Sequence, residues 1–377
     1  MPDDAFATDD VLVAPRLPPR AVEFLATGGL TLVLFPVLWA LRTTVGLDPA
    51  ELAVGFLAFH GAHLINDPHF AVTYLLFYRD ARARAFGDVF GGVQRVRYWV
   101  AGAVVPAALI AWAAFALRTR SAPSIGLLVE LMFLLVGWHY VKQGFGVLVV
   151  LSARRGVVFS AIERASVLTH CFAGWAFAWA NPSGPSKEVE EKGVVFMTVP
   201  RPPVVERVAL VFLAASTLWF VAMLVRKRLR EGRLPIFAPL VGLLCSVWVW
   251  SIFSSADPLL VYVIPALHSL QYLYMVWLLT RNEARSEEGP PLFGKPAAVR
   301  VGVLAVLSLG LGWVLFHGAP SALDDWLVPR RGRRLLDESL GATPYFAAMF
   351  AVVNIHHYFM DHVVWRRENA LTRHLRG

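Results

Sequence analysis

The stretch Pro258–Thr280, PLLVYVIPALHSLQYLYMVWLLT, contains no charged residue. It is long enough to cross a bilayer, which takes roughly 20 mostly apolar residues. An imidazole, His268, and an amide, Gln271, sit near its middle. Just before it, Leu234–Ala256 is also free of charge. Asp257-Pro258 separates the two, because proline cannot continue a helix and disfavours helix in the residue before it.

Working outward, similar segments recur near residues 23–45, 51–78, 98–117, 124–152, 163–181, 207–225, 234–256, 258–281, 298–318 and 343–365. Of the 377 residues, 57% are hydrophobic and 16% charged, and the mean hydropathy is +0.56. Soluble chains carry about 45–50% apolar and about 25% charged residues, so a single soluble domain is excluded. Disorder, collagen and coiled coil are excluded by the apolar content and the lack of a heptad or Gly-X-Y period. The reading is an all-α polytopic membrane protein of about ten transmembrane helices. Cys171 and Cys245 both lie in apolar stretches, which leaves neither a disulfide framework nor a thiolate metal site.

Net charge is +8 and the pI near 9.8, yet the basic residues occupy short loops between apolar segments. That pattern sets membrane orientation and does not call for a nucleic-acid partner. With the N-terminus inside, inner loops hold Arg79, Arg82, Arg84, Arg95, Arg97, Arg154, Arg155, Arg164, the run Arg226–Arg230, Arg281, Arg285, Lys295, Arg300 and the tail from Arg366. Outer loops hold fewer than half as many, with Arg330, Arg331, Arg333 and Arg334 as the exception, so N-in and C-in is expected. Residues 1–20 lack a signal-peptide pattern and read as a disordered cytoplasmic tail, 21–366 as the transmembrane domain and 367–377 as a second cytoplasmic tail. The expected location is the inner (plasma) membrane.

An ionisable side chain at the centre of a spanning helix costs roughly 2.5–3.5 kcal/mol on the insertion scale, so it needs a reason. Six of the ten segments hold almost none. The second, fourth, eighth and tenth hold His60, His63, Asp67, His69, His139, Lys142, His268, His356, His357, Asp361 and His362. In the N-in topology all four run from outside to inside. His60, His63, His139, His268 and His357 lie about 9 to 16 residues from the outer ends, which at ~1.5 Å per residue is a layer about 10 Å thick.

At ~100° per residue, His60, His63 and Asp67 share one arc of about 60°, as do Asn354, His357 and Asp361. Neutral imidazole ligates iron, zinc or copper, and a nearby carboxylate completes the shell or orients a ring N–H. One such histidine is more often a hydrogen-bonding group between helices. Five at one depth with two aspartates on matching arcs point to a metal site. The predicted ligands are therefore His60, His63, Asp67, His139, His268, His357 and Asp361. On straight helices His69 and His356 point elsewhere and read as outer partners or structural groups, although Pro68 is placed to kink the second span and re-aim His69. His362 reads as interfacial, and His170, His317 and His374 as isolated structural residues. Lys142, one turn beyond His139, reads either as a counter-charge to Asp67, Asp361 or an anionic substrate head, or as a structural partner of Glu130. Tyr272 and Tyr358 fall near the histidine arcs and join Lys142 as candidate catalytic residues.

The sequence has no nucleotide-binding glycine loop, C-x-x-C or C-x-x-C-H, so electrons for any redox chemistry must come from a partner or from a substrate. His60-x-x-His63, His356-His357 and the single intramembrane histidines resemble the integral-membrane histidine-motif metalloenzymes. These are fatty-acid desaturases and hydroxylases, alkane monooxygenases and bacterial carotene-cleaving dioxygenases of the Brp/Blh type. Desaturases carry an H-x-x-x-H and two H-x-x-H-H boxes near the cytoplasmic face; this chain has H-x-x-H and a lone His-His, set deeper. The resemblance implies one or two iron ions acting on a lipophilic molecule, such as a fatty acyl chain, polyene or isoprenoid, with a separate electron donor. Two alternatives stay open: a proton-coupled transporter using a His/Asp/Lys relay, and a b-type haem protein.

Overall fold

The computed structural model describes residues 20–254, 257–287, 296–328 and 340–375. All ten predicted segments are helical there, and the only strands among the described residues form one hairpin. Six helices are long and apolar enough to cross a membrane: Arg20–Val45, Gly92–Arg118, Ala122–Ala153, Pro203–Glu231, Pro258–Glu287 and Ala297–Leu327. The segment 234–256 forms a shorter apolar helix, Phe237–Ile252. Ala161–Ala180 and Pro344–Val364 are helices with polar residues on them. Most of the predicted tail 1–20 and the arginines at 330–334 lie outside the described residues.

The second predicted span is not one helix. It divides into Leu47–Ala62 and Asn66–Tyr78, with residues 63–65 in turns and Ile65 at φ −124° and ψ −55°. Pro68 explains the position of the break. Its ring clashes with the carbonyl four residues back, at Leu64, whereas proline is tolerated in the first turn of a new helix. Elsewhere the caps follow ordinary chemistry. Ser160 and Glu163 form a reciprocal capping box at the start of Ala161–Ala180.

The helices are apolar on the outside, as Leu218, Val211 and Val208 on Pro203–Glu231 illustrate, each more than 60% exposed. Polar groups such as Thr73, Gln271, Asn354 and Asp361 face inward. This inversion of the soluble pattern suits a chain whose surroundings are hydrocarbon. Ala122–Ala153 is the hub: it packs against Ala161–Ala180, Phe237–Leu244, Pro344–Val364 and the hairpin.

Contacts at one end of the bundle join many of the basic loops. Arg79 pairs with Glu283 at 2.5 Å, Arg155 with Glu23 at 2.7 Å and Lys227 with Glu163 at 3.2 Å. The chain after Arg366 is docked there, with Arg154 donating to the Leu375 carbonyl and Asn282 to that of His374. At the other end, Glu188–Glu191 pairs antiparallel with Val194–Met197. Its turn residues Lys192 (φ 52°) and Gly193 (φ 78°) both take the left-handed conformation that a two-residue hairpin loop requires. The charge pattern of 182–206 gave no sign of this hairpin.

Candidate metal centre

Four helices bring histidines to one buried place: Asn66–Tyr78 supplies His69, Ala122–Ala153 His139, Pro258–Glu287 His268 and Pro344–Val364 His357. These come from the four segments singled out in the sequence, but the residue from the second segment is His69, not His60 or His63. His69, His139 and His357 each offer a ring nitrogen within 4.8 Å of the others. Nε2 of His139 and Nε2 of His357 are 3.3 Å apart. Two nitrogens each ~2.1 Å from one ion stand about 3.0–3.4 Å apart at right-angle to tetrahedral geometry. The His268 ring lies 4.7 Å from that of His139 and 5.0 Å from that of His69.

Nδ1 of His69 meets the Ser269 hydroxyl at 3.0 Å, and that hydroxyl donates to Oδ1 of Asn66 at 3.0 Å. With its proton spent on Asn66, Ser269 accepts from His69 Nδ1–H, and Nε2 of His69 carries the lone pair. That Nε2 is buried and unpartnered, as are Nδ1 of His357 and both nitrogens of His268. A buried polar atom left unpaired costs about 1–3 kcal/mol, so four in one cluster mark a place built for a ligand.

Asp361 braces the group. Its Oδ1 accepts from Tyr272 at 2.7 Å and Trp365 at 3.2 Å. Its Oδ2 lies 3.7 Å from Nδ1 of His139 and 3.5 Å from Nε2 of His357. Thr73 lies 2.5 Å from the Tyr272 hydroxyl. For His139, whose Nε2 faces His357, a carboxylate on the Nδ1 side can fix the ring and its tautomer; for His357 it lies beside the nitrogen that faces His139. Tyr358 places its ring, tilted by 30°, 4.7 Å from that of His139 and donates to Asn354.

Other predicted residues go elsewhere. His60 is exposed among Phe56 and Phe59, turned away by the end of its helix at Ala62. His63 and Asp67 leave the central cluster and meet His317, a residue read from the sequence as isolated. His356 is satisfied: Nε2–H donates to the Ala101 carbonyl and Nδ1 accepts from Tyr74. His170 stacks on Phe220, and His362 accepts from Arg366. Lys142 forms no ion pair with Asp67, Asp361 or Glu130 among the described residues; its ammonium lies over Trp138 and Phe145 at 5.5 and 5.4 Å. Glu130 instead accepts from the Val199 amide.

A cavity of about 700 Å³ begins at His139, Asp361 and Tyr272, passes Lys142, and runs to Arg164 and Arg367. Apolar side chains such as Phe145, Val149 and Met275 line most of it. The layout offers room for a long apolar molecule whose polar end meets cations. Comparison with known proteins gives no match: no family model, curated protein or solved structure corresponds to this chain.

Proposed function

We propose that this chain is a membrane-embedded, non-haem metal oxidoreductase acting on a lipophilic substrate. The observation that carries the reading is the convergence of imidazoles from four helices, with unpartnered nitrogens on His69, His268 and His357, at one end of a long, largely apolar cavity. His69, His139 and His357 would hold the metal, with His268 beside them and Asp361 as the brace. Iron suits a buried, many-imidazole site made for O₂ chemistry, although ligand type alone accommodates zinc or copper. When bound, such an ion would supply oxygen activation, with electrons from a separate donor or from the substrate. The protein's own contribution is to exclude water, align the chain along the cavity and hold the polar head at Lys142, with Arg164 and Arg367 beyond. The 3.3 Å contact between His139 and His357 favours a small ion over a macrocycle inserted between them.

A visible spectrum and elemental analysis of the full chain, purified in mild detergent after anaerobic, metal-replete growth, test the proposal. Stoichiometric iron without a Soret band supports it. A protein with no iron, zinc or copper transfers the same buried residues to a proton-coupled carrier.

Lys142→Met should leave the metal in place while weakening binding and turnover of an anionic lipid about tenfold or more, since a hydrogen bond to a charged group is worth about 1.5–3 kcal/mol. If the variant fails to accumulate in the membrane, Lys142 is structural.

The same proposal includes about ten spans, N-in and C-in, in the inner membrane. Contacts linking the basic loops at one end favour it. A cysteine placed within Arg226–Arg233 should resist an impermeant thiol reagent in intact cells; labelling there would reverse the topology.

A further inference from the structure

We propose that His63, Asp67 and His317 form a second divalent-cation site, separate from the central histidine cluster. One ring nitrogen from each histidine and one carboxylate oxygen lie within 4.8 Å of one another. Oδ2 of Asp67 is 2.9 Å from Nε2 of His317 and 3.4 Å from Nδ1 of His63. The two imidazole rings are 4.0 Å apart. Nδ1 of His63 is buried and makes no hydrogen bond. Two imidazoles and one carboxylate form a three-ligand face that leaves coordination positions open, a set suited to iron(II), cobalt(II) or zinc(II).

Two backbone irregularities and one close-packed glycine build this site. The break at residues 63–65 ends one helix at Ala62 and begins the next at Asn66, which turns His63 back toward Asp67. His317 lies in the π-helical segment Val314–Gly318, and such insertions often re-aim a side chain at functional positions. Gly312, one turn earlier, lets that helix approach: a Cβ there would come within 2.7 Å of the Asp67 backbone. Phe70 marks the partition between the sites, with its ring 4.9 Å from that of Phe316 on one side and 4.7 Å from that of His357 on the other. Asp67 is 3% exposed at its side chain, while His63 and His317 are 33% and 21% exposed. The carboxylate charge is thus sheltered, and the imidazoles lie nearer the surface of the bundle. The chemical class of a further ligand is a water or a small oxygen donor at the open positions.

The test is independent of the central cluster. In the full-length His139→Ala/His357→Ala chain in detergent, cobalt(II) titration should show one saturable equivalent. Adding His317→Gln, which keeps a hydrogen-bond donor near Asp67, should weaken cobalt about 100-fold or more, beyond the roughly 10–100-fold expected for loss of an outer partner. His317→Cys should retain cobalt and add a thiolate-to-cobalt charge-transfer band. Should the doubly substituted chain fail to fold, His63→Gln alone in the otherwise native chain should remove one cobalt equivalent while leaving the rest. Cobalt binding that is undiminished by both His317→Gln and His63→Gln, or no saturable cobalt in a folded chain with all three residues intact, overturns the site. Loss of metal from His357→Ala with cobalt retained at His317, or the reverse, tells failure of one site from failure of the other.

Discussion

His69→Ala should remove the equivalent of metal held by the central cluster, whereas His60→Ala should leave metal at the wild-type level. The contrast is sharp because helical periodicity alone makes the opposite assignment. His69 Nε2 is buried, unpartnered and within reach of His139 and His357, while His60 lies exposed among phenylalanines. Loss of a ligand leaves a coordination position that no water-rich surroundings can fill, so the expected drop exceeds about 100-fold. His356→Ala is the control for folding. That ring is equally buried, and its removal strands the Ala101 carbonyl and the Tyr74 hydroxyl at about 1–3 kcal/mol each. It should lower thermal stability and keep the metal. Elemental analysis and a melting curve on each variant separate the two effects. The full wild-type complement of metal in folded His69→Ala would remove the central cluster as a metal site.

The four helices that carry the cluster were legible because polar residues in apolar segments are costly and therefore conspicuous. What failed to carry over was register. A projection at 100° per residue assumes an unbroken helix, and Pro68 imposes a break four residues upstream. Past that break His69 turns inward, while His60, in the helix before it, lies exposed. The signal was present in Pro68, whose re-aiming effect was recognised without its consequence for His60 and His63.

His317 illustrates a different limit. It stands alone in its segment, and its partner Asp67 lies 250 positions away in sequence. No local pattern connects them. The π-helical turn that presents it adds a residue to the helical turn, so the projected face is displaced as well. Lys142 was legible as a buried cation, but not in its surroundings. Its charge rests on Trp138 and Phe145, one turn before it and one turn after it on the same helix, and the aromatic faces substitute for the expected carboxylate. Attraction to ring faces replaces an ion pair, and Lys142 also lines the cavity.

The second large effect is expected at Asp361. Two donors, Tyr272 and Trp365, converge on its Oδ1, with Thr73 donating to the Tyr272 hydroxyl, which leaves Oδ2 facing Nδ1 of His139 and Nε2 of His357. The carboxylate therefore has one oxygen anchored to the protein and one turned to the imidazoles. If Asp361 orients the rings, Asp361→Asn should weaken metal about 10–100-fold, the usual cost of losing such a partner. If Oδ2 is itself a ligand, the loss should match that of His69→Ala. Tyr272→Phe separates these roles further. It removes one anchoring donor but keeps the ring and the carboxylate charge, so its effect should be smaller than that of Asp361→Asn in either case. Competition with a chelator of known affinity measures all three variants on one scale. An Asp361→Asn protein that binds metal as tightly as wild type would show that the carboxylate serves only the Tyr272–Trp365 hydrogen bonds. His139 and His357 would then be held without it.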